Sequence, residues 1–115
     1  MPPQEDNLAQ EPTREEVDRM TGPVLLEFGA GWCGYCQALQ PYLDALLPQY
    51  AAVKYIWIED GKGQPLGRSF RVKLWPTLVF LHDGQVLRQL VRSSEAEVRE
   101  ALQALSASVN PSQST

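Results

Sequence analysis

Two residues, Cys33 and Cys36, are the only thiols in the chain, and they stand three apart in Trp32-Cys33-Gly34-Tyr35-Cys36. On a helix this spacing puts both side chains on one face. Their Cα atoms then fall within the roughly 4.4–6.8 Å that a disulfide requires, so the pair can open and close without refolding the chain. If the helix starts at or just after Cys33, that sulfur meets unpaired backbone N–H groups and the positive end of the helix dipole, which favour a thiolate. Cys33 is then the attacking thiol. Cys36, one turn further in and covered by neighbours, is the resolving thiol that releases the partner from a mixed disulfide.

The same pair also fits a structural staple, half of a metal site, or two inert buried thiols. A staple across so short a loop removes little unfolded-state entropy. Zinc needs four ligands, and the one other soft or imidazole donor is His82, so a cluster would have to be shared by two chains. Glu27 interrupts the apolar run Val24-Leu25-Leu26-Glu27-Phe28 six residues before Cys33. A carboxylate buried without a partner holds its proton, so Glu27 fits a relay that takes the proton of Cys36. The other reading has Glu27 reach solvent or pair with Lys54 or Lys73 across the sheet.

The elements that position these groups follow from pattern. Thr13-Arg14-Glu15-Glu16 has capping-box spacing, which predicts a helix from about Pro12 to Met20. Thr21-Gly22-Pro23 turns the chain into a central strand over Val24–Phe28, apolar on both faces. Gly29, Ala30 and Gly31 make a small-residue turn that leaves Cys33 reachable. Cys36, Leu39, Leu43, Leu46 and Leu47 follow helical spacing, with Pro41 expected to kink that helix and Pro48 to end it. Val53–Glu59 reads as a second, parallel strand after a right-handed crossover. Asp60–Gly67 is a loop leading to a turn or two of helix near Arg68–Val72. Thr77–Leu81 and Gln85–Val91 form a hairpin about Asp83-Gly84, and Ser93 or Ser94 caps a final helix. The sum is a mixed sheet between two helical layers, an α/β fold.

With 115 residues, 43% of them hydrophobic and 21% charged, the chain suits one domain, expected over residues 11–107. Residues 1–10 and 108–115 are polar and expected to be flexible tails. A net charge of -4 with no dense Lys and Arg cluster argues against nucleic acid as a partner. No apolar run approaches the ~18 residues that span a bilayer, and Met1–Gln10 lacks a secretory leader's pattern. The expected location is the cytoplasm, or the periplasm if a leader has been removed.

From Pro12 to Ala107 the chain resembles the thioredoxin superfamily. The resemblance rests on Glu27 through Cys36, on Pro41 at the family's helix kink, and on Trp75-Pro76-Thr77 before a strand and an Asp-Gly hairpin. It implies a thioredoxin fold with a four- or five-stranded mixed sheet, a cis bond at Pro76, and no bound cofactor or metal. It also implies that the backbone N–H and C=O of Trp75 pair with an extended substrate strand, with Trp32, Gly34, Tyr35, Thr77 and Arg92 lining the groove. Several residues depart from thioredoxin proper. Tyr35 replaces a common proline, Glu27 the usual aspartate, Gly29 a bulky aromatic and Arg92 a glycine, and Tyr55 or Ile56 stands where the acid's lysine partner is found. The implied activity is thiol–disulfide exchange on disulfide-containing proteins, in the direction of reduction, with electrons from an upstream reductase or membrane donor, by a monomer. The competing readings are an exported oxidant, isomerase or cytochrome-maturation reductase, a binding module without turnover, and a dimer bridged by a metal cluster.

Overall fold

The computed structural model of the protein describes residues 11–61 and 64–114; the expected N-terminal tail lies outside them. Thr13 caps α1 (Arg14–Asp18): its hydroxyl accepts the Glu16 N–H at 3.0 Å while the Glu16 carboxylate accepts the Thr13 N–H at 2.9 Å. The reciprocal pair satisfies two donors that the helix itself leaves open. Gly22, at φ +76, then turns the chain into β1 (Pro23–Gly29).

Next come α2 (Gly34–Leu46), a 3-10 turn over Leu47–Tyr50, and β2 (Lys54–Glu59). Pro41 lies inside α2, and Pro48 falls within the 3-10 turn that closes it. The short helix α3 spans Pro65–Ser69, earlier than the expected Arg68–Val72. Pro65 supplies the preset φ that starts a helix, and Arg71, at φ 59, has already left helical backbone. The strands β3 (Thr77–His82) and β4 (Gln85–Val91) follow, then α4 (Glu95–Ser114). Ser94 caps α4, with its hydroxyl on the Glu97 N–H at 3.2 Å and the Glu97 carboxylate on the Ser94 N–H at 2.8 Å. That helix runs on past Ala107, where a polar tail was expected: its backbone remains helical through Pro111 and up to Ser114.

The four described strands lie in the order β2-β1-β3-β4, with β1 parallel to β2 and antiparallel to β3. β1 is therefore central, and Val24 through Gly29 are all buried. Its two faces feed two cores. Leu25 packs with Leu39, Leu43, Phe80 and Leu102 beneath α2 and α4, whereas Leu26 and Phe28 pack with Val17, Leu66 and Phe70 on the α1 and α3 side. Because strand side chains alternate, Glu27 and Gly29 share the face of Leu25 and look toward α2. At the far end Asp83 and Gly84 take φ 53 and φ 80, the left-handed pair that a two-residue hairpin turn needs.

A Cβ on Gly84 would strike the Asp18 carbonyl as well as strain the turn. Gly84→Ala is expected to lower stability by about 2 kcal/mol or more in urea titration, without changing thiol reactivity.

Candidate active site

The chain leaves β1 at Gly29 and enters α2 at Gly34, so Ala30 through Cys33 form a tight connection at the carboxyl end of the central strand. Cys33 is the N-cap residue, at φ -79 and ψ 120, and its Sγ accepts the backbone N–H of Cys36 at 3.2 Å. The Cys33 N–H donates to the Ala30 carbonyl, and the Gln37 amide donates to the Gly31 carbonyl at 2.9 Å, which fastens the connection to the helix. Both thiols are free. Cys33 is 7% exposed and Cys36 3%, so the first sulfur is more closely covered than the small residues before it suggested. Trp57 and Trp75 pack against the cluster of Ala30, Cys33 and Cys36. Burial pushes the Cys36 thiol up to about 12, with Cys33 and the Glu27 carboxylate adding to the rise.

Glu27 has no exposed surface. The Tyr55 hydroxyl donates to its Oε1 at 2.6 Å, while Oε2 has no hydrogen-bond partner among the described residues. Burial raises the Glu27 carboxyl to about 7; the Tyr55 hydrogen bond opposes that rise and Asp44 adds to it. The lysine pairings are thus excluded: the group facing Glu27 is Tyr55, the residue that stands in for the family's lysine. Gly29 is compelled by its neighbours, since a Cβ there would lie 2.6 Å from Cys36 Sγ and 2.9 Å from the Trp57 ring. Trp57, from the adjoining strand, supplies aromatic bulk where the family carries it on the Gly29 position.

Opposite the thiols the Trp75–Pro76 bond is cis, and the Thr77 hydroxyl closes that loop on the Leu74 carbonyl at 2.7 Å. The Trp75 indole donates to Asp60 Oδ2 at 2.9 Å and meets the Trp32 ring edge-on at 5.2 Å. Asp60 is buried and was not singled out from the sequence; an acid at the end of an apolar strand gave no sign of a tryptophan 15 residues further along the chain. Arg92, at φ 49, donates through Nε to the Trp75 carbonyl at 2.8 Å and lays its guanidinium 4.0 Å from the Tyr35 ring centre. A groove of about 250 Å³ runs between them, lined by Tyr35, Leu39, Pro76, Arg92 and Ser93. Gly34 opens onto free space in the first turn of α2. His82 is elsewhere, 3.5 Å from Asp83 at the hairpin.

A dithiol at the mouth of a helix, faced by a cis-proline loop and backed by a buried carboxyl, defines a protein built for thiol–disulfide exchange. The thioredoxin family model matches residues 6–106. Curated relatives include the H-type thioredoxin of Populus jackii, 33% identical over 84% of this chain and 70% of that protein. A thioredoxin of Echinococcus granulosus is 32% identical over 70% of this chain and 76% of its own length. Among solved structures, reduced thioredoxin 2 of Pseudomonas aeruginosa is 49% identical with a TM-score of 0.75, over 84% of this chain and 91% of that one. The chain belongs to the thioredoxin family and is a protein-disulfide oxidoreductase of thioredoxin type. Among the described residues no helix is long and apolar enough to cross a membrane, and no three His, Cys, Asp or Glu side chains could together hold a metal ion.

The raised Glu27 carboxyl sets a pH dependence. The folded chain keeps this proton up to about pH 7 while the unfolded chain loses it near 4.5, the ordinary value for a glutamate. Stability from this group is therefore full below pH 4.5 and is lost as pH rises through 7. Glu27→Gln removes the loss, so its stability relative to the parent should grow by up to about 3 kcal/mol between pH 4.5 and pH 8 in paired denaturant titrations.

Proposed function

We propose that the protein reduces disulfides in partner proteins, with Cys33 attacking, Cys36 resolving and Glu27 handling the proton. The observation that carries this reading is the Cys36 N–H held on Cys33 Sγ at 3.2 Å, which points the first turn of α2 at one sulfur and leaves the other thiol beneath it. Cys33 sulfur attacks one sulfur of the partner disulfide, and the displaced sulfur leaves as a thiolate that takes a proton. Cys36 then gives up its proton and attacks Cys33, closing the internal disulfide and releasing the second partner thiol. Two electrons pass from the dithiol to the partner. An upstream reductase restores them, in a reducing compartment such as the cytoplasm, and the protein works as a monomer.

The partner is an extended segment rather than a small molecule. Trp32, Tyr35, Leu74 and Val91 are large apolar side chains left exposed, and Trp75 at the cis bond offers backbone groups for strand-like pairing. Arg92 already takes one lone pair of the Trp75 carbonyl, so the partner's N–H is left the second. The Arg92 cation over the Tyr35 ring narrows the same groove.

Insulin reduction under dithiothreitol tests the reading. Cys33→Ser should abolish the acceleration, and Cys36→Ser should retain the first exchange and accumulate a covalent mixed disulfide visible on a non-reducing gel. Equal activity of Cys33→Ser and the parent would refute the assignment.

A further inference from the structure

A second opening lies beside the dithiol, on the side away from the cis-proline loop. This cleft of about 330 Å³ is lined by Ala30, Gly31, Cys36, Gln40, Tyr55 and Trp57. It is large enough for several waters, each taking about 30 Å³ in the liquid. Cys36 and Tyr55 both border it, whereas Glu27 does not and has no exposed surface. Among the described residues, the hydrogen bond to the carboxyl comes from the Tyr55 hydroxyl at 2.6 Å. The acid therefore sits behind the tyrosine, and the tyrosine stands in the wall of the space that the resolving thiol also borders.

Resting on the exchange activity above, we propose that Tyr55 carries the proton between Cys36 and Glu27, as a hydroxyl that gives one proton to the acid while accepting another from water in the cleft. The transfer balances. The Cys36 proton passes to a cleft water, a proton of that water passes to Tyr55 Oη, and the Tyr55 proton moves to Glu27 Oε1. Cys36 sulfur becomes the thiolate that attacks Cys33, the Cys33–partner bond breaks, and Glu27 ends protonated with Tyr55 restored. No tyrosinate forms at any point. Burial and the Glu27 charge both push Tyr55 upward from its ordinary value, which suits a relay that never ionises. Gln40, from α2, reaches the same oxygen with its amide at 3.5 Å, and leaves it room to accept from water. The other charged or titratable groups facing the pair are Asp44 and Cys36, both on α2.

The sheet's geometry explains how the tyrosine comes to meet the acid. Glu27 pairs across β1 and β2 with Trp57, whose ring lies beside Cys36 Sγ over Gly29. Tyr55, two residues earlier on β2 and on the same face, reaches the carboxyl diagonally. A positioning residue of this kind changes a pH profile, whereas a tyrosine that merely packs changes stability alone.

Single-turnover oxidation of the dithiol by a synthetic peptide disulfide, followed by tryptophan fluorescence from pH 5 to pH 9, tests the proposal with Tyr55→Phe. Losing a hydrogen bond to the charged acid should move the limb belonging to Glu27 upward by about one to two pH units. The closing step at pH 7 should slow by about tenfold. In the unsubstituted protein, a proton inventory in mixed H2O and D2O should curve, since more than one proton moves in the step. An unshifted limb in folded Tyr55→Phe, or a straight inventory, overturns the relay and leaves the exchange reading intact. A parent protein that does not reduce the peptide at all overturns the exchange reading itself.

Discussion

A sulfur does the work of a capping hydroxyl in this protein. Helix N-termini leave backbone N–H groups without partners, and the usual remedy is the oxygen of Ser, Thr, Asp or Asn at the cap. Here Cys33 takes that position and its Sγ accepts the Cys36 N–H. The start of α2 and the place of the reactive atom are thus one constraint. Shifting the helix by a residue would lose the cap and rotate Cys36 away from its partner. Everything that fixes α2 against the sheet, from Leu39 and Leu43 in the core to the Gln37 amide on Gly31, also fixes the geometry of the dithiol.

The second constraint is the face of β1 that carries Leu25, Glu27 and Gly29. Period-2 alternation sends all three toward α2, so the strand presents in succession an apolar core residue, an acid, and bare backbone. The bare backbone lets Cys36 Sγ approach, and Trp57 from the parallel neighbour closes what would otherwise be a void. A void there would forfeit the contacts of its whole lining. Aromatic bulk has moved from one strand to the next, and the acid's partner has changed from an amine to a phenol. The two exchanges belong together, because Tyr55 and Trp57 lie on one face of β2.

Much of this was legible in the chain. The dithiol, the capping box at Thr13, the central apolar strand and the Asp83-Gly84 hairpin each have a local signature, and local signatures survive folding. The cis bond at Trp75–Pro76 was legible through family resemblance alone, since an arbitrary X–Pro bond is trans. Contacts between distant segments were not. Whether Glu27 would find Lys54, Lys73 or Tyr55 depends on the register of β1 against β2, and a slip of one residue reverses the face of every side chain. Asp60 holding the Trp75 indole and Arg92 holding the Trp75 carbonyl are likewise consequences of packing. The helix over Pro65–Ser69 was misplaced because the glycines around it obscured the stronger signal of a proline at its first position.

Several residues that break local rules gather around the two thiols. Glu27 is an acid in an otherwise apolar central strand, and burial disfavours its charged form relative to that of an exposed glutamate. Arg92 holds a left-handed backbone that costs a non-glycine residue about 1–2 kcal/mol. Asp60 keeps one buried oxygen without a hydrogen-bond partner among the described residues, and Gly67 must lack a side chain to make room for it. Away from the site Arg71 and Asp83 also take left-handed backbone in turns, but leucines and valines fill both cores and paired caps open α1 and α4. An apolar residue at position 27 would remove the desolvation cost and stabilise the fold, so packing alone does not account for the acid. Buried polar conflict near Cys33 and Cys36, with consistently apolar cores elsewhere, is the distribution expected when one scaffold supports one reactive centre.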